Sequence, residues 1–130
     1  MITFSVPLLP IPFKRTESND KRRYNLRSYT EFKDALGYFA AVAMRGREPF
    51  QGAIKISADF FKPRPRKSKF LRGGINFAIN PDFGDVDNFL KAVLDSLNSI
   101  CYIDDRQVIE IHARKFFGKP RIEISLEELK

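Results

Sequence analysis

The sequence predicts an α+β fold, in which two main helices pack on one small mixed β-sheet. Four short stretches rich in β-branched and aromatic residues alternate apolar with polar positions, as half-buried strands do. Two longer stretches have apolar residues at helical spacing, and the order along the chain is strand, helix, strand, helix, strand, strand. The chain has 130 residues, 43% of them hydrophobic, which suits one domain with its own core. We therefore expect residues 1–130 to form a single domain.

The first half of the chain is predicted to hold one strand and one helix. Residues 2–6 alternate apolar and polar side chains, and the prolines that follow end this strand. Residues 10–27 combine prolines with many Lys and Arg residues, which favours a long loop. Residues 29–44 place Phe, Leu and Ala at helical spacing, with Ser28 or Thr30 as a candidate N-cap. We expect this helix to serve as packing scaffold.

The second half is predicted to hold a strand, the clearest helix and two final strands. Residues 53–61 alternate well enough for a strand, whereas the prolines of residues 62–72 exclude both a helix and a central strand. Residues 108–116 and 121–126 are predicted strands, joined by a Gly-Lys-Pro turn into an antiparallel hairpin. Residues 85–99 are predicted as a helix because one apolar stripe runs along them, formed by Val86, Leu90, Val93, Leu94 and Leu97.

The charge balance favours an anionic partner. There are 23 Lys and Arg residues against 16 Asp and Glu residues, giving a formal charge of +7. Nucleic acid is the first candidate partner and an acidic membrane surface is the second. The two basic stretches could be ordinary solvated loops, but their coexistence in one small chain favours a surface that follows DNA phosphates. The predicted DNA-binding residues, with Phe70 stacking on unpaired bases, are Lys14, Arg15, Arg22, Arg23, Arg64, Arg66, Lys67, Lys69, Phe70 and Arg72.

Cysteine content and hydropathy indicate a cytoplasmic protein. The single Cys101 cannot form an internal disulfide and leaves no cysteine cluster for zinc. The first residues lack the basic start and apolar run of a signal peptide. No segment approaches the roughly 18 consecutive apolar residues that a membrane span requires. We therefore expect a soluble, cytoplasmic protein that no membrane span anchors.

Carboxylates are concentrated in one short segment of this basic chain. Mg²⁺ prefers oxygen ligands and is commonly held by a few carboxylates together with a substrate phosphate. Asp85 at a helix start and Asp87 within the first turn could bind one or two such ions, and Asp104 or Asp105 could complete the set. Lys91, one turn beyond Asp87, could neutralise a phosphate oxygen or the leaving group.

Each of these residues also has a structural interpretation. Asp85 could serve only as an N-cap, worth about 1 kcal/mol. Asp87 and Lys91 could form an i, i+4 ion pair, worth about 0.2–0.5 kcal/mol. Asp104 and Asp105 form a common turn dipeptide. Their occurrence together in a Lys- and Arg-rich chain nevertheless favours a metal site.

Two separated motifs resemble one nuclease family. The string from Asp85 to Asn98, DVDNFLKAVLDSLN, and the string from Tyr102 to Val108, YIDDRQV, match the signature D-x-D-N-x-x-K-x-x-x-D-x-L followed by D-D-x-Q-V. This signature is similar to that of the RusA family of Holliday junction resolvases. The resemblance implies a Mg²⁺-dependent endonuclease, with Mn²⁺ as a possible substitute, that acts as a homodimer in DNA recombination and repair. Such a dimer makes paired symmetric nicks across a four-way junction.

The resemblance also implies a role for each motif residue. Asp85, Asp87 and Asp105 would be the catalytic metal-binding carboxylates, and Lys91 would be the essential lysine. Three further residues would have supporting roles. Asp104 would be an additional metal ligand, and Asp95 would position Lys91. Asn88 would stabilise the helix start or hold a ligand carboxylate through its amide.

Two other functions remain open from the residues alone. One is a metal-dependent nuclease that prefers flaps, forks or other branched DNA. The other is a non-catalytic, basic nucleic-acid-binding module whose carboxylates only cap and pair helices.

Overall fold

The computed structural model describes residues 1–13, 20–64 and 84–129, with the backbone alone for residues 20–26. The predicted α+β class, with a mixed sheet and two helices, is confirmed. No helix among the described residues is long and apolar enough to cross a membrane. The elements are β1 (Ile2–Val6), α1 (Asp20–Met44), β2 (Ala53–Lys62), α2 (Val86–Leu97), a 3₁₀ turn (Asp105–Gln107), β3 (Val108–Phe117) and β4 (Arg121–Leu129).

The four strands form one sheet in the order β1-β4-β2-β3. β4 runs antiparallel to both β1 and β2, whereas β3 runs parallel to β2. The predicted hairpin of the last two strands is therefore wrong, because β2 lies between them. Their short link crosses the end of β2, where the Gly118 N–H donates to the Lys62 carbonyl at 2.8 Å. This arrangement gives β2, whose alternate residues are fully buried, a hydrogen-bonded strand on each side.

Both helices pack on one face of the sheet. α1 contacts β1 and α2, and α2 contacts β2 and β3. Alternate side chains of the central strands point into the resulting core and are at most 1% exposed. Burial of this apolar face is the main stabilisation of the fold. The core residues of β2 and β4 are Ile54, Ile56, Ala58, Phe60, Ile122, Ile124 and Leu126.

α1 begins earlier than the sequence predicts. The predicted loop of residues 10–27 gives way to helix at Asp20, so α1 has 25 residues. Residues 20–27 contain neither Pro nor Gly, and their Lys, Arg and Leu residues are good helix formers. Their high charge favoured a loop in the sequence, but charged side chains are also normal on an exposed helix. Within α1, Gly37 allows a close approach, because a Cβ there would lie 3.0 Å from Ile100 Cδ1.

The apolar face of α2 includes the predicted Val93 and Leu97, which are fully buried, but it is centred closer to Phe89 than the predicted stripe. Phe89 is 1% exposed and packs against Phe60 with ring centroids 5.5 Å apart. The predicted stripe residues Val86 and Leu90 lie at the margin of the core. Phe89 therefore anchors the first turn of α2 to β2, near the end of that strand.

Candidate active site

Asp85 and Asp87 lie together at the start of α2. Asp85 is the N-cap in extended conformation, as predicted, but its side chain makes no capping hydrogen bond. Asp87 is exposed in the first turn. Within the described part of the chain, neither carboxylate has a hydrogen-bond or ion-pair partner, and the alternative i, i+4 ion pair between Asp87 and Lys91 does not form. Both carboxylates are therefore available to a ligand.

Gly84 sets the position of this carboxylate pair. Its φ of +107° is one that side-chain-bearing residues rarely adopt. Its carbonyl accepts a hydrogen bond from Lys115 Nζ at 2.7 Å, and a Cβ on Gly84 would lie 2.7 Å from Phe89 Cζ. Gly84, which precedes Asp85, is thus held between Lys115 of β3 and Phe89 of α2.

Lys91 is held by the segment before α1. Its Nζ lies 5.0 Å from the centroid of the Phe13 ring, a cation–π distance. The Phe13 N–H donates to the Asn88 carbonyl at 3.0 Å, and the Phe13 ring packs edge-on against Tyr29 at 5.7 Å. Phe13 therefore contacts the same end of α2 that carries Asp85 and Asp87. Asn88 contributes its backbone carbonyl to this contact, and its side chain is exposed.

Asp95 joins the two helices. Its Oδ2 accepts a hydrogen bond from the Tyr29 hydroxyl at 2.8 Å and lies 3.0 Å from Lys33 Nζ. Burial raises the pKa of Tyr29, and the hydrogen bond to Asp95 and the charge of Asp95 raise it further. The partners of Asp95 lie on α1, and the expectation that Asp95 positions Lys91 stays a prediction.

Asp104 and Asp105 have different environments. Asp104 caps the 3₁₀ turn, because its Oδ1 accepts from the Arg106 N–H at 2.8 Å. Hydrogen bonds from the Arg106 backbone and side chain lower the pKa of Asp104. Asp105 is exposed, and its charge contributes, after burial, to a raised pKa of Tyr102. Asp105 is therefore the freer carboxylate of the two.

Gln107 fixes this turn, a role that sequence reasoning missed. Its Oε1 accepts from the N–H groups of Ile103 and Asp104 at 2.8 and 3.0 Å. Its Nε2 donates to the carbonyls of Phe50 and Gly52 at 2.8 and 3.0 Å. The side chain thus makes four hydrogen bonds and ties the Asp105 turn to the segment that enters β2. The only sequence signal was the Gln of the D-D-x-Q-V motif.

Replacing Gln107 by leucine is expected to lower the free energy of unfolding by about 2–4 kcal/mol, because several backbone groups lose their partners. The matched control is Gln51→Leu, since Gln51 is exposed and lies between the two carbonyls that Gln107 binds. Urea denaturation of both variants measures the difference. Equal free energies of unfolding for the two variants would contradict a stabilising role of the four Gln107 hydrogen bonds.

The structure does not bring all the predicted ligands together. Asp85 and Asp87 lie at the first turn of α2. Asp105 lies near Tyr102, and the Tyr102 hydroxyl donates to the Leu94 carbonyl at 2.7 Å. Leu94 belongs to the last turn of α2, so Asp105 lies towards the opposite end of the helix. The twelve residues of α2 rise about 18 Å from end to end. Among the described residues, no group of three or more His, Cys, Asp or Glu side chains could hold a metal ion. The two neighbouring carboxylates still suit a hard cation, since Mg²⁺ is often bound by one or two carboxylates plus waters and phosphates.

Two further cations lie at the Asp85 end of α2. Lys62 Nζ is 5.0 Å from the centroid of the Phe89 ring, and Lys115 donates to Gly84. Burial lowers the pKa of Lys62, and the charge of Lys115 lowers it further. A bound phosphate would relieve this repulsion. The sequence contained a signal for Lys115, because it shares the strand face of Ala113 and Phe117, which turns towards the helices.

Few of the predicted DNA-binding residues lie in the described regions. Arg64 is exposed, with its guanidinium 5.9 Å from the centroid of the Phe117 ring. Arg22 and Arg23 lie in α1 rather than in the predicted loop. The others lie outside the described residues, and they are Lys14, Arg15, Arg66, Lys67, Lys69, Phe70 and Arg72.

A family match covers nearly the whole chain. The family model for endodeoxyribonuclease RusA matches residues 7–127. This chain belongs to the RusA family. Among individual proteins, the uncharacterised YqaN of Bacillus subtilis (strain 168) is 29% identical, over 82% of this chain and 81% of that protein.

Membership of the RusA family establishes the class of enzyme. Members are endodeoxyribonucleases that resolve Holliday junctions and act on branched DNA, and they generally depend on a divalent metal. The resemblance that the two sequence motifs indicated is thereby confirmed.

Proposed function

We propose that this RusA-family chain is a Mg²⁺-dependent endonuclease that resolves four-way DNA junctions by paired symmetric nicks, in recombination and repair. The observation that carries the proposal is the pair of exposed carboxylates at the start of α2, Asp85 and Asp87, which have no side-chain partner among the residues that the structure describes. Neither the cap hydrogen bond nor the ion pair that would give these carboxylates a specific structural use is present among the described residues.

Asp85 and Asp87 are the proposed metal ligands. Their oxygens suit Mg²⁺, with Mn²⁺ as a substitute, and leave coordination positions for water and for a phosphate oxygen. A divalent ion there would activate a water and neutralise charge on the phosphate. Asp105 lies towards the other end of α2 within this chain, so its proposed role as the third catalytic carboxylate rests on the D-D-x-Q-V motif alone, and Asp104 supports it as the cap of the turn.

Lysines at the same end of α2 are proposed to bind the DNA phosphate. Lys91 lies one turn beyond Asp87 and is oriented by the Phe13 ring. Lys62 and Lys115 lie beside Phe89 and Gly84. Cations in these positions attract the DNA backbone and stabilise negative charge that develops during cleavage.

A homodimer is proposed because paired cuts need two active sites. β3 is an edge strand, and the Asp105 turn next to it is flanked by exposed isoleucines: Ile103 is 57% exposed, Ile109 66% and Ile111 45%. Antiparallel pairing of two β3 edges about His112 would place Glu110 opposite the partner's Arg114. This surface is therefore the proposed dimer contact.

The Ile109→Glu variant is expected to sediment as a monomer where the wild-type chain sediments as a dimer, because it places a charge in the apolar contact. Tyr38→Glu is the matched control, since Tyr38 is 67% exposed on α1. Analytical ultracentrifugation over a range of concentrations measures both. Identical sedimentation of Ile109→Glu and the wild type would remove β3 as the interface.

The decisive experiment is cleavage of a synthetic four-way junction. Labelled junction, a flap, a fork and a linear duplex are incubated with the chain and Mg²⁺, Mn²⁺ or a chelator. Paired symmetric nicks on the junction, abolished by the chelator, are expected. Cleavage confined to flaps or forks would favour the other branched-DNA nuclease. Tight binding of the junction without cleavage in the presence of either metal would favour a non-catalytic nucleic-acid-binding module. The cytoplasmic location expected from the sequence stays a prediction.

A further inference from the structure

A groove lies between β1 and the C-terminal half of α1, away from α2. Its volume is about 430 Å³. The apolar lining comes from one face of α1, with Phe39, Val42 and Ala43, and from the inward residues of β1, Ile2 and Phe4. Val42 is 58% exposed, so its side chain remains available at the groove. A groove whose lining combines these apolar side chains with polar groups fits side chains of a partner.

Two arginines give the groove its charge. Arg45 and Arg47 line it and are both exposed, and no carboxylate is among its lining residues. The turn after α1 fixes them, because the Arg45 N–H donates to the Val42 carbonyl at 3.1 Å and the Arg47 N–H to the Met44 carbonyl at 3.0 Å. Neither guanidinium has an ion-pair partner in the described part of the chain. The groove is therefore complementary to a negatively charged ligand.

The backbone beside the groove can pair with another strand. β1 lies at the edge of the sheet, so among the described strands only β4 is hydrogen-bonded to it. Its other row of N–H and C=O groups faces outward, next to the groove. An extended peptide that adds to such an edge directs alternate side chains to the helix side of the sheet.

We propose that this groove binds an extended acidic peptide of a partner protein by strand addition to β1. Apolar side chains of the peptide would enter between Phe4, Phe39 and Val42. Acidic side chains would pair with Arg45 and Arg47. The site is distinct from the carboxylates of α2, so binding there would recruit the nuclease to a partner without occupying its active site.

The groove suits a peptide better than DNA or a second copy. Phosphate binding does not need an apolar floor, whereas a peptide uses the floor, the arginines and the strand edge together. Of the acidic residues near the groove, Glu48 does not line it and Glu128 accepts from the Gly52 N–H at 2.9 Å, so neither neutralises the two arginines.

The test uses a fluorescein-labelled ten-residue peptide in which Asp alternates with Phe and Ile, and the same peptide with Lys in place of Asp. The acidic peptide is expected to bind the full chain with a dissociation constant of about 100 μM or tighter. In ¹⁵N NMR spectra, the shifted amides should lie in β1 and the second half of α1. The lysine peptide is expected not to bind.

Two variants test the groove directly. The double variant Arg45→Glu/Arg47→Glu should weaken acidic-peptide binding at least about tenfold, as expected for two reversed charges. Val42→Glu should do the same by filling the apolar floor with a carboxylate. Arg27→Glu is the control, because Arg27 is exposed on the same helix outside the groove, and it should bind like the wild type.

Several outcomes would overturn the proposal. They are no binding of the acidic peptide up to about 1 mM, equal binding of both peptides, or amide shifts outside β1 and α1. Weakened junction binding by the double variant, without any peptide binding, would assign the arginines to DNA phosphates. A change in sedimentation caused by Val42→Glu would assign the groove to a second copy.

Discussion

Replacing Asp87 by asparagine is expected to lower Mg²⁺-dependent cleavage of a four-way junction by more than about a hundredfold. Removing a group that merely supports a metal ligand costs about 10–100-fold, so loss of a proposed ligand should cost more. The change keeps the shape of the side chain and removes its charge. Single-turnover cleavage rates, measured over a range of Mg²⁺ concentrations, test this expectation.

The same variant should keep both its fold and its affinity for the junction. Asp87 is exposed and has no side-chain partner among the described residues, so the substitution to asparagine breaks no hydrogen bond that stabilises the fold. Removing a negative charge should not weaken contact with phosphates. Asp34→Asn is the matched control, because Asp34 is an exposed aspartate on α1. If Asp87→Asn unfolds the chain, or cleaves like Asp34→Asn, Asp87 is not a metal ligand.

Local patterns in the sequence predicted most elements but not how they pair. Short runs of β-branched and aromatic residues identified every strand, and alternation of apolar and polar residues marks β1, β2 and β4, which bury one face, whereas residues 109–112 of β3 are exposed on both faces. The link of residues 118–120 is as short as a hairpin turn, and nothing in it reveals that β2 lies between β3 and β4. Strand order depends on which arrangement buries the most apolar surface, which is a property of the whole chain.

The candidate site was predictable in part for the same reason. Asp85 and Asp87 are neighbours in sequence, so any helix beginning there keeps them together. Asp105 depends on the path of the chain after α2, and that path places it near Tyr102 instead. Lys115 comes from a distant strand, and only the register of β3 beside β2 brings it to Gly84. Spacing along a sequence fixes local geometry alone.

Gly84→Ala is expected to lower the free energy of unfolding by about 2–6 kcal/mol. A positive φ costs a residue with a side chain about 1–3 kcal/mol, and crowding in a packed core costs about 1–3 kcal/mol more. The crowding arises because the new Cβ would lie 2.7 Å from Phe89 Cζ. Junction cleavage should also fall, because relief of the contact moves either Asp85 or the first turn of α2. Urea denaturation and cleavage rates of the same preparation measure both effects.

Two further variants separate backbone strain from crowding. Gly46 also has a positive φ, +77°, but nothing lies within 4 Å of a Cβ there, so Gly46→Ala should cost only about 1–2 kcal/mol. Phe89→Leu shortens the side chain that the new Cβ meets. The loss of unfolding free energy in the double variant Gly84→Ala/Phe89→Leu should therefore be smaller than the sum of the two single losses by about 0.5–3 kcal/mol. Additive effects would show that the loss of unfolding free energy in Gly84→Ala comes from backbone strain at position 84 alone. A favourable coupling would show that Phe89 and Gly84 together position the start of α2, and with it the carboxylates proposed to bind the metal.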